Sequence, residues 1–175
     1  MFRRCNDGAV NHRVRRLRPD DWREFRRLRL EALKDSPLAF VEQYDDALAL
    51  PDDAWQERAA ATDRATFVAV DADDRLVGMA GIFGEEAASA MLVGVYVTPA
   101  QRGGGAAAAV IGAAVEWARA ELAVDQVRLF VLDVNERAKS FYRRLGFAET
   151  GGTMRYPPDP SYLELEMAVS ALSAS

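Results

Sequence analysis

The sequence predicts an α/β fold of the α+β type, in which a mixed, mostly antiparallel central sheet of about six to seven strands is flanked by about four helices. Three strand-like runs at 65–70, 76–83 and 88–97 are separated by short polar turns, and this spacing is typical of an antiparallel meander. A helix, a strand and a second helix follow within 104–145. This succession after a meander indicates a mixed sheet with helices packed on it.

Length and composition favour a single domain. The chain has 175 residues, of which 50% are hydrophobic and 28% charged, a balance too apolar for a disordered protein. We therefore expect one soluble domain over 1–175, with 1–12 as a flexible N-terminal arm. No apolar run approaches the roughly 18 residues of a membrane helix, and the first residues lack the apolar stretch of a secretory signal. These features predict a cytoplasmic protein with no membrane partner.

Cysteine and histidine, which often form metal and catalytic sites, occur once each. Cys5 is the only cysteine and His12 the only histidine, which excludes an intrachain disulfide and a zinc site of two or more thiolates. A Ser-His-Asp triad would have to use a histidine in the expected arm, and this position argues against one. We expect no metal.

The charge changes sign along the chain. Its net value is +5 over 1–35, −9 over 36–100 and −1 over 101–175. Because duplex nucleic acid requires a basic face across most of its footprint, the acidic middle argues against a nucleic-acid partner. The acids of 42–53 are either a solvated surface or the surroundings of a site for a cationic substrate.

The first part of the chain contains one strand and two helices before the meander. Residues 14–17 form the strand, and the aspartates at 20–21 cap a helix with apolar residues at near-helical spacing. The helix ends before Pro37, and a loop or short helix continues through Tyr44. Residues 51–61 begin with Pro-Asp-Asp, a typical helix start.

The last part of the chain contains two helices and two strands. An alanine-rich apolar pattern predicts a helix over 104–122. A nearly continuous apolar run predicts a strand over 126–134 that is buried on both faces. Residues 135–145 are expected to form a helix that Gly146 closes at its C′ position. The alternating tail at 162–167 predicts the final strand.

The most informative stretch joins the third meander strand to the alanine-rich helix. It contains three consecutive glycines, Gly103, Gly104 and Gly105, which leave backbone N–H groups uncovered at a helix N-terminus. Such donors and the helix dipole bind phosphate, although a glycine run is also compatible with a flexible turn alone. No Lys-Ser or Lys-Thr follows, which excludes a P-loop, and the run does not match the dinucleotide G-x-G-x-x-G pattern cleanly.

Two motifs resemble the GNAT superfamily of N-acetyltransferases. The family signature has Gln or Arg, then Gly, then Gly or Ala at fixed spacing after a strand ending in Val-x-Pro. Here Arg102, Gly105 and Ala107 follow 97–99 in that pattern. Residues 132–147 resemble the family's strand, Asn-x-x-Ala, helix, Tyr and Gly-Phe segment. The order and separation of the two motifs also agree with the family.

The resemblance covers roughly 14–169 and implies that acetyl-CoA binds in a gap between the strand ending at Val97 and the strand ending at Val134. The backbone groups that would pair with the pantetheine arm are those of Val95, Tyr96 and Val97. The groups that would hold the pyrophosphate are the N–H groups of Gly103, Gly104, Gly105, Ala106 and Ala107. Arg102 would be the first residue of this turn. Asn135 would contact the arm near the thiol, and it is also a suitable cap for the following helix.

Tyr142 is the catalytic residue that the resemblance implies. Its spacing is also that of a core aromatic on a helix face. In the family role, its phenol acts as general acid toward the thiolate expelled by amine attack, and backbone N–H groups near Val95 stabilise the oxyanion. No general base can be assigned, since 88–97 contains no acid and Phe130 is apolar. The remaining candidates, each also interpretable as an ordinary surface or core residue, are Glu42, Tyr44, Glu85, Tyr96, Asp133 and a water chain.

The leading hypothesis is a bacterial-type acyltransferase that moves acetyl from acetyl-CoA to a primary amine by direct attack, with Tyr142 as general acid. The acceptor is a small-molecule or peptide amine. The alternative is a catalytically silent acyl-CoA-binding sensor or interaction module of the same fold, which the missing carboxylate motivates. A homodimer is open, with the C-terminal strand as the candidate interface.

Overall fold

The computed structural model describes residues 12–171, which form one seven-stranded sheet with helices on both faces. The strands are β1 (Arg13–Arg16), β2 (Arg64–Val70), β3 (Leu76–Glu85), β4 (Ser89–Val97), β5 (Gln126–Leu132), β6 (Ala148–Arg155) and β7 (Leu163–Ser170). The α-helices are α1 (Trp22–Asp35), α2 (Tyr44–Leu48), α3 (Asp52–Ala60), α4 (Ala106–Glu121) and α5 (Glu136–Arg144).

The strand order is β1-β2-β3-β4-β5-β7-β6. Neighbouring strands are antiparallel except β4 and β5, which are parallel. The expected mixed, mostly antiparallel sheet is therefore confirmed, including the meander β2-β3-β4. Strand β7 lies between β5 and β6, so both of its edges are paired, and the free edge on this side of the sheet belongs to β6.

Each face of the sheet carries its own hydrophobic core. On one face α4 buries Val110, Ile111 and Ala114 against the strands, and α5 adds Phe141 and Tyr142 at the margin. On the other face α1 buries Leu28, and α3 contributes the fully buried Trp55, with α2 alongside. The first face is called the α4 face below and the second the α1 face.

Three predictions of individual elements need correction. Strand β6 was not predicted, because its sequence carries two adjacent glycines and almost all of its residues are exposed, so no apolar alternation marks it. Strand β5 ends at Leu132, two residues before the expected Val134, which is 64% exposed. It is also not buried on both faces: its first residue is exposed, two others are half-buried, and none of its residues packs in the α1-face core.

The expected arm lies almost wholly outside the described residues, as does Cys5. His12 is described, and its Nε2 lies 2.9 Å from Oε1 of Gln101 in a hydrogen bond that ties the start of β1 to the turn before α4. None of the helices within 12–171 is long and apolar enough to cross a bilayer. The same residues contain no cluster of His, Cys, Asp or Glu suited to a metal ion.

Leu28 is a test of the α1-face core. Its side chain is 0% exposed, so Leu28→Ala should lower the free energy of unfolding by about 3 kcal/mol through lost burial and a residual cavity. Leu48 is 44% exposed, so Leu48→Ala should change stability by no more than about 0.5 kcal/mol. Urea unfolding of both variants measures the difference, and equal losses would contradict this packing.

Candidate active site

The sheet splits between β4 and β5. These two strands pair over only three residue pairs, from Ser89 with Gln126 to Met91 with Arg128. Strand β4 then continues to Val97 and β5 to Leu132 without further pairing. The two parallel strands therefore diverge toward their carboxyl ends. The backbone of 95–97 forms one wall of this gap, and the family resemblance implies the acetyl-CoA site here.

A β-bulge lies in β4 beside the gap. Met79 is opposite Tyr96 and Gly81 is opposite Val93, so two residues of β4 face one residue of β3. Gly94 takes the positive φ that the bulge needs, +62°. A bulge leaves one residue out of the ladder and redirects its backbone groups. The backbone N–H groups near Val95 can therefore turn away from β3.

The glycine turn is open on its outer side. Gly103 and Gly105 have φ values of +82° and +84°, and a Cβ built at either position meets no atom within 4 Å. Gly105 is the N-cap of α4 and supplies no side-chain cap. The first N–H groups of an α-helix lack intrahelical acceptors, so the donors at 105–107 lie at the positive end of a 16-residue helix.

Arg102 braces this turn. Its Nε donates to the carbonyl oxygen of Val97 at 3.1 Å, and its guanidinium forms an ion pair with Asp35 at the end of α1. The hydrogen bond from Arg102 holds the pKa of the Asp35 carboxyl below its usual range. The same guanidinium lies 5.6 Å from the centre of the Tyr96 ring. Arg102 thus joins the end of β4, the glycine turn and α1.

Asn135 begins α5 in the role of a cap. Its Oδ1 accepts a hydrogen bond from the N–H of Ala138 at 3.0 Å. The carboxamide nitrogen donates to no group within 12–171 and is exposed. One end of the side chain is therefore committed to the helix, and the other is free to meet a ligand at the carboxyl end of β5.

Tyr142 is half-buried on the α4 face. Its ring lies 5.5 Å from that of Phe141 and meets Phe147 edge-on at 5.8 Å. Burial raises the pKa of the Tyr142 hydroxyl to about 12. No group of the described chain hydrogen-bonds to this hydroxyl. The ring therefore packs in the core as one interpretation expected, and the role of the hydroxyl as general acid stays a prediction.

Three of the candidate bases are engaged elsewhere. Glu42 forms ion pairs with Arg29 at 2.9 Å and Arg58 at 2.8 Å; burial alone would raise the pKa of Glu42, but these two cations lower it overall. This pairing leaves Glu42 without free charge for a cationic substrate. Tyr96 donates to Glu31 at 3.1 Å, and burial raises its pKa.

Glu85 lies at the opposite end of β4 from the gap and pairs with Arg128 at 2.7 Å. Tyr44 packs at the margin of the α1-face core. Asp133 follows β5 and forms no ion pair within the described chain. Glu42, Tyr96 and Glu85 are thus held by other side chains, whereas Tyr44 and Asp133 form no side-chain hydrogen bond or ion pair in the described part of the chain.

Arg29 was not singled out from the sequence. Its Nη1 lies 3.2 Å from the position of a Cβ at Gly94, so a guanidinium covers the bulge on the α1 face. The group also lies over the Phe40 ring at 4.6 Å and is held by Glu42. Nothing in the arginine-rich sequence of α1 distinguishes this arginine from its neighbours, because the contact depends on tertiary packing.

Comparison with known families decides the assignment of the chain. The model of the Acetyltransferase (GNAT) family matches residues 15–147. The chain belongs to this family. The identification made from the two motifs is thereby confirmed. The protein is an acyltransferase, and its family uses acyl-CoA. No curated protein sequence matches it.

Solved structures share its fold. Nourseothricin acetyltransferase is 29% identical with a TM-score of 0.58, and the match covers 70% of this chain and 69% of that one. Spermidine N-acetyltransferase from Vibrio cholerae, solved with CoA and spermine, is 20% identical with a TM-score of 0.69 and coverage of 91% and 95%. A GNAT-family protein from Desulfovibrio desulfuricans is 17% identical with a TM-score of 0.70 and coverage of 93% and 100%.

The cap at Asn135 can be tested apart from any ligand. Asn135→Ala leaves the N–H of Ala138 without its acceptor, and we expect a loss of about 1 kcal/mol in the free energy of unfolding. Asn135→Asp keeps an acceptor at the same place and should retain stability. Thermal unfolding distinguishes the two, with a decrease in Tm of about 2 to 4 °C expected for the alanine variant alone. An equal decrease in both would mean that the cap contributes little.

Proposed function

We propose that this GNAT protein is an N-acetyltransferase that transfers acetyl from acetyl-CoA to a primary amine by direct attack, with Tyr142 as general acid. The observation that carries the proposal is the gap between β4 and β5, which has the bulge at Gly94 on one wall and the open glycine turn at its mouth. Such a gap suits an extended arm that ends in a thioester.

The residues at the mouth fit a pyrophosphate. A side chain at Gly103 or Gly105 would occupy the space through which a phosphate approaches, and the N–H groups of 103–107 lie at the positive end of α4. The backbone of 95–97 is unpaired on the side of β5, so it can pair with the pantetheine arm as an extra strand would. The free amide nitrogen of Asn135 can donate to the arm near the thiol.

The chain supplies a donor for the leaving group. At a pKa of about 12 the Tyr142 hydroxyl stays protonated at neutral pH, and it would break no hydrogen bond to residues 12–171 on meeting a ligand. A phenol in this state hydrogen-bonds a developing thiolate and then protonates it as the C–S bond breaks. Backbone N–H groups at the bulge near Val95 stabilise the oxyanion.

The acceptor is proposed as a small-molecule or peptide amine. One structural relative is named as a spermidine N-acetyltransferase, which supports an amine acceptor, and another is named as a nourseothricin acetyltransferase. We propose no nucleic-acid or membrane partner. A homodimer formed through a sheet edge would use one of the outer strands, β1 or β6, since the C-terminal strand β7 is paired on both sides.

The glycine turn gives the first test of this function. Calorimetric titration with acetyl-CoA should show micromolar binding to the wild type, and Gly105→Leu should weaken it by about 100-fold, or about 2.7 kcal/mol. The matched control is Gly151→Leu, because Gly151 also has a positive φ, +89°, and open space around its Cβ but lies in β6. Equal losses in both variants would trace the effect to backbone strain, and no binding to the folded wild type would refute the cofactor site.

Tyr142 separates an enzyme from a silent sensor. Tyr142→Phe should lower kcat for amine-dependent release of free thiol by about 100-fold, while the affinity for acetyl-CoA stays unchanged because the ring packing is kept. Tyr162→Phe removes a hydroxyl that forms no side-chain hydrogen bond in the described chain and should leave kcat unchanged. Binding of acetyl-CoA without turnover by the wild type on any amine would favour the sensor.

A further inference from the structure

We propose that Glu164 is the general base for the acceptor amine, an inference that rests on the proposed acetyl transfer. It is a residue of β7, the strand next to β5, and the sequence did not single it out. The argument uses its register, the face it occupies and its lack of a partner.

Register places Glu164 level with the carboxyl end of β5. It is opposite Leu132, the last residue of β5, and on its other side it is opposite Met154 of β6. The carboxyl ends of β4 and β5 are the ends that diverge. Glu164 therefore lies one strand away from the gap, at the level of its mouth.

Glu164 occupies the α1 face of the sheet. Successive residues of a strand alternate between faces, and Met167 and Val169 of β7 pack in the α4-face core. Glu164 and Glu166 accordingly belong to the other face. Arg29 covers the bulge on that same α1 face. An amine that approaches the gap from the α1 face therefore meets the bulge on one side and Glu164 on the other.

Two acids of β7 share this face but differ in their partners. Glu166 accepts hydrogen bonds from Arg128 at 2.6 Å and from Thr150 at 2.6 Å. The side chain of Glu164 is half-buried and forms no hydrogen bond or ion pair within 12–171. Burial raises its pKa, which makes it a stronger base than a surface carboxylate. The structure thus offers one neutralised carboxylate and one available carboxylate.

The charged and polar surroundings of Glu164 are few. Strands β5 and β6 present the apolar residues Leu132 and Met154 to it. Tyr156, which directly follows β6, is the titratable neighbour of Glu164. Burial raises the pKa of the Tyr156 hydroxyl, and the negative charge of Glu164 raises this pKa further. That hydroxyl donates to the carbonyl oxygen of Phe40 at 2.5 Å. Glu164 therefore lies near the connection between α1 and α2, and no cation of residues 12–171 forms an ion pair with it.

The chemistry balances with this assignment. An ammonium acceptor must lose one proton before its nitrogen can attack the thioester carbon, and Glu164 accepts that proton and passes it to water. The C–N bond forms, the C–S bond breaks, and Tyr142 gives its proton to sulfur. The amide nitrogen releases its second proton to water, from which Tyr142 is reprotonated. The sum is an amide, a thiol and one released proton.

The test compares wild type, Glu164→Gln and Glu166→Gln in amine-dependent thiol release from acetyl-CoA between pH 6 and 10. Glu164→Gln should lower kcat/KM for the amine by about 100-fold at pH 7, with unchanged KM for acetyl-CoA. The deficit should shrink as pH rises toward the pKa of the amine, because free amine then needs no base. A merely structural role would not produce this recovery. Glu166→Gln should keep the wild-type pH profile.

The outcomes separate the two proposals. A Glu164→Gln variant with wild-type kcat/KM, or with a deficit that is constant across pH, would overturn the role of Glu164 and leave the acetyltransferase standing. A wild type that binds acetyl-CoA but acetylates no amine would overturn the proposed function and the base together. Thermal unfolding of both variants establishes that each is folded at the assay temperature.

Discussion

The arrangement of this protein depends on the point where β4 and β5 stop pairing. Parallel strands normally continue their ladder and are covered on both faces, yet this pair ends after three residue pairs and opens. The separation costs few backbone hydrogen bonds, because β4 remains paired to β3, and β5 to β7, along most of their lengths. Each half of the sheet thus keeps its own backbone hydrogen bonds, and the polar backbone groups lining the gap are left for a ligand.

The remaining features of the site follow from this split. The bulge at Gly94 lets β4 turn its backbone into the gap without breaking the pairing with β3 on either side. The turn at 103–105 directs the chain from the end of β4 into α4, so the helix begins at the mouth of the gap. Arg102 fixes that turn to β4 and to α1. Backbone donors, and not charged side chains, would therefore form the proposed anion site, which explains why the sequence showed it as a run of glycines.

The sequence predicted those parts whose signal is local. The meander, α4, the cap at Asn135 and the glycine turn each depend on residues close together in the chain, and all appear in the structure. Strand β6 was missed because exposed edge positions need no apolar alternation. The partners of Glu42 and Glu166 could not be predicted, because they come from other elements of the fold. Glu42 pairs with Arg29 of α1 and Arg58 of α3, and Glu166 pairs with Arg128 of β5. Sequence shows which acids exist, and only packing shows which of them remain free.

The split also explains how groups from opposite faces can act on one substrate. Tyr142 belongs to α5 and packs on the α4 face, whereas Glu164 and Arg29 lie on the α1 face. A continuous sheet about 10 Å thick with its packed side chains would keep such groups apart. In the proposed reaction, a thioester in the gap would be reached from the α4 face by Tyr142 and from the α1 face by the amine and Glu164. The split in the sheet would thus let the proposed acid and the proposed base act on the acyl group from opposite faces.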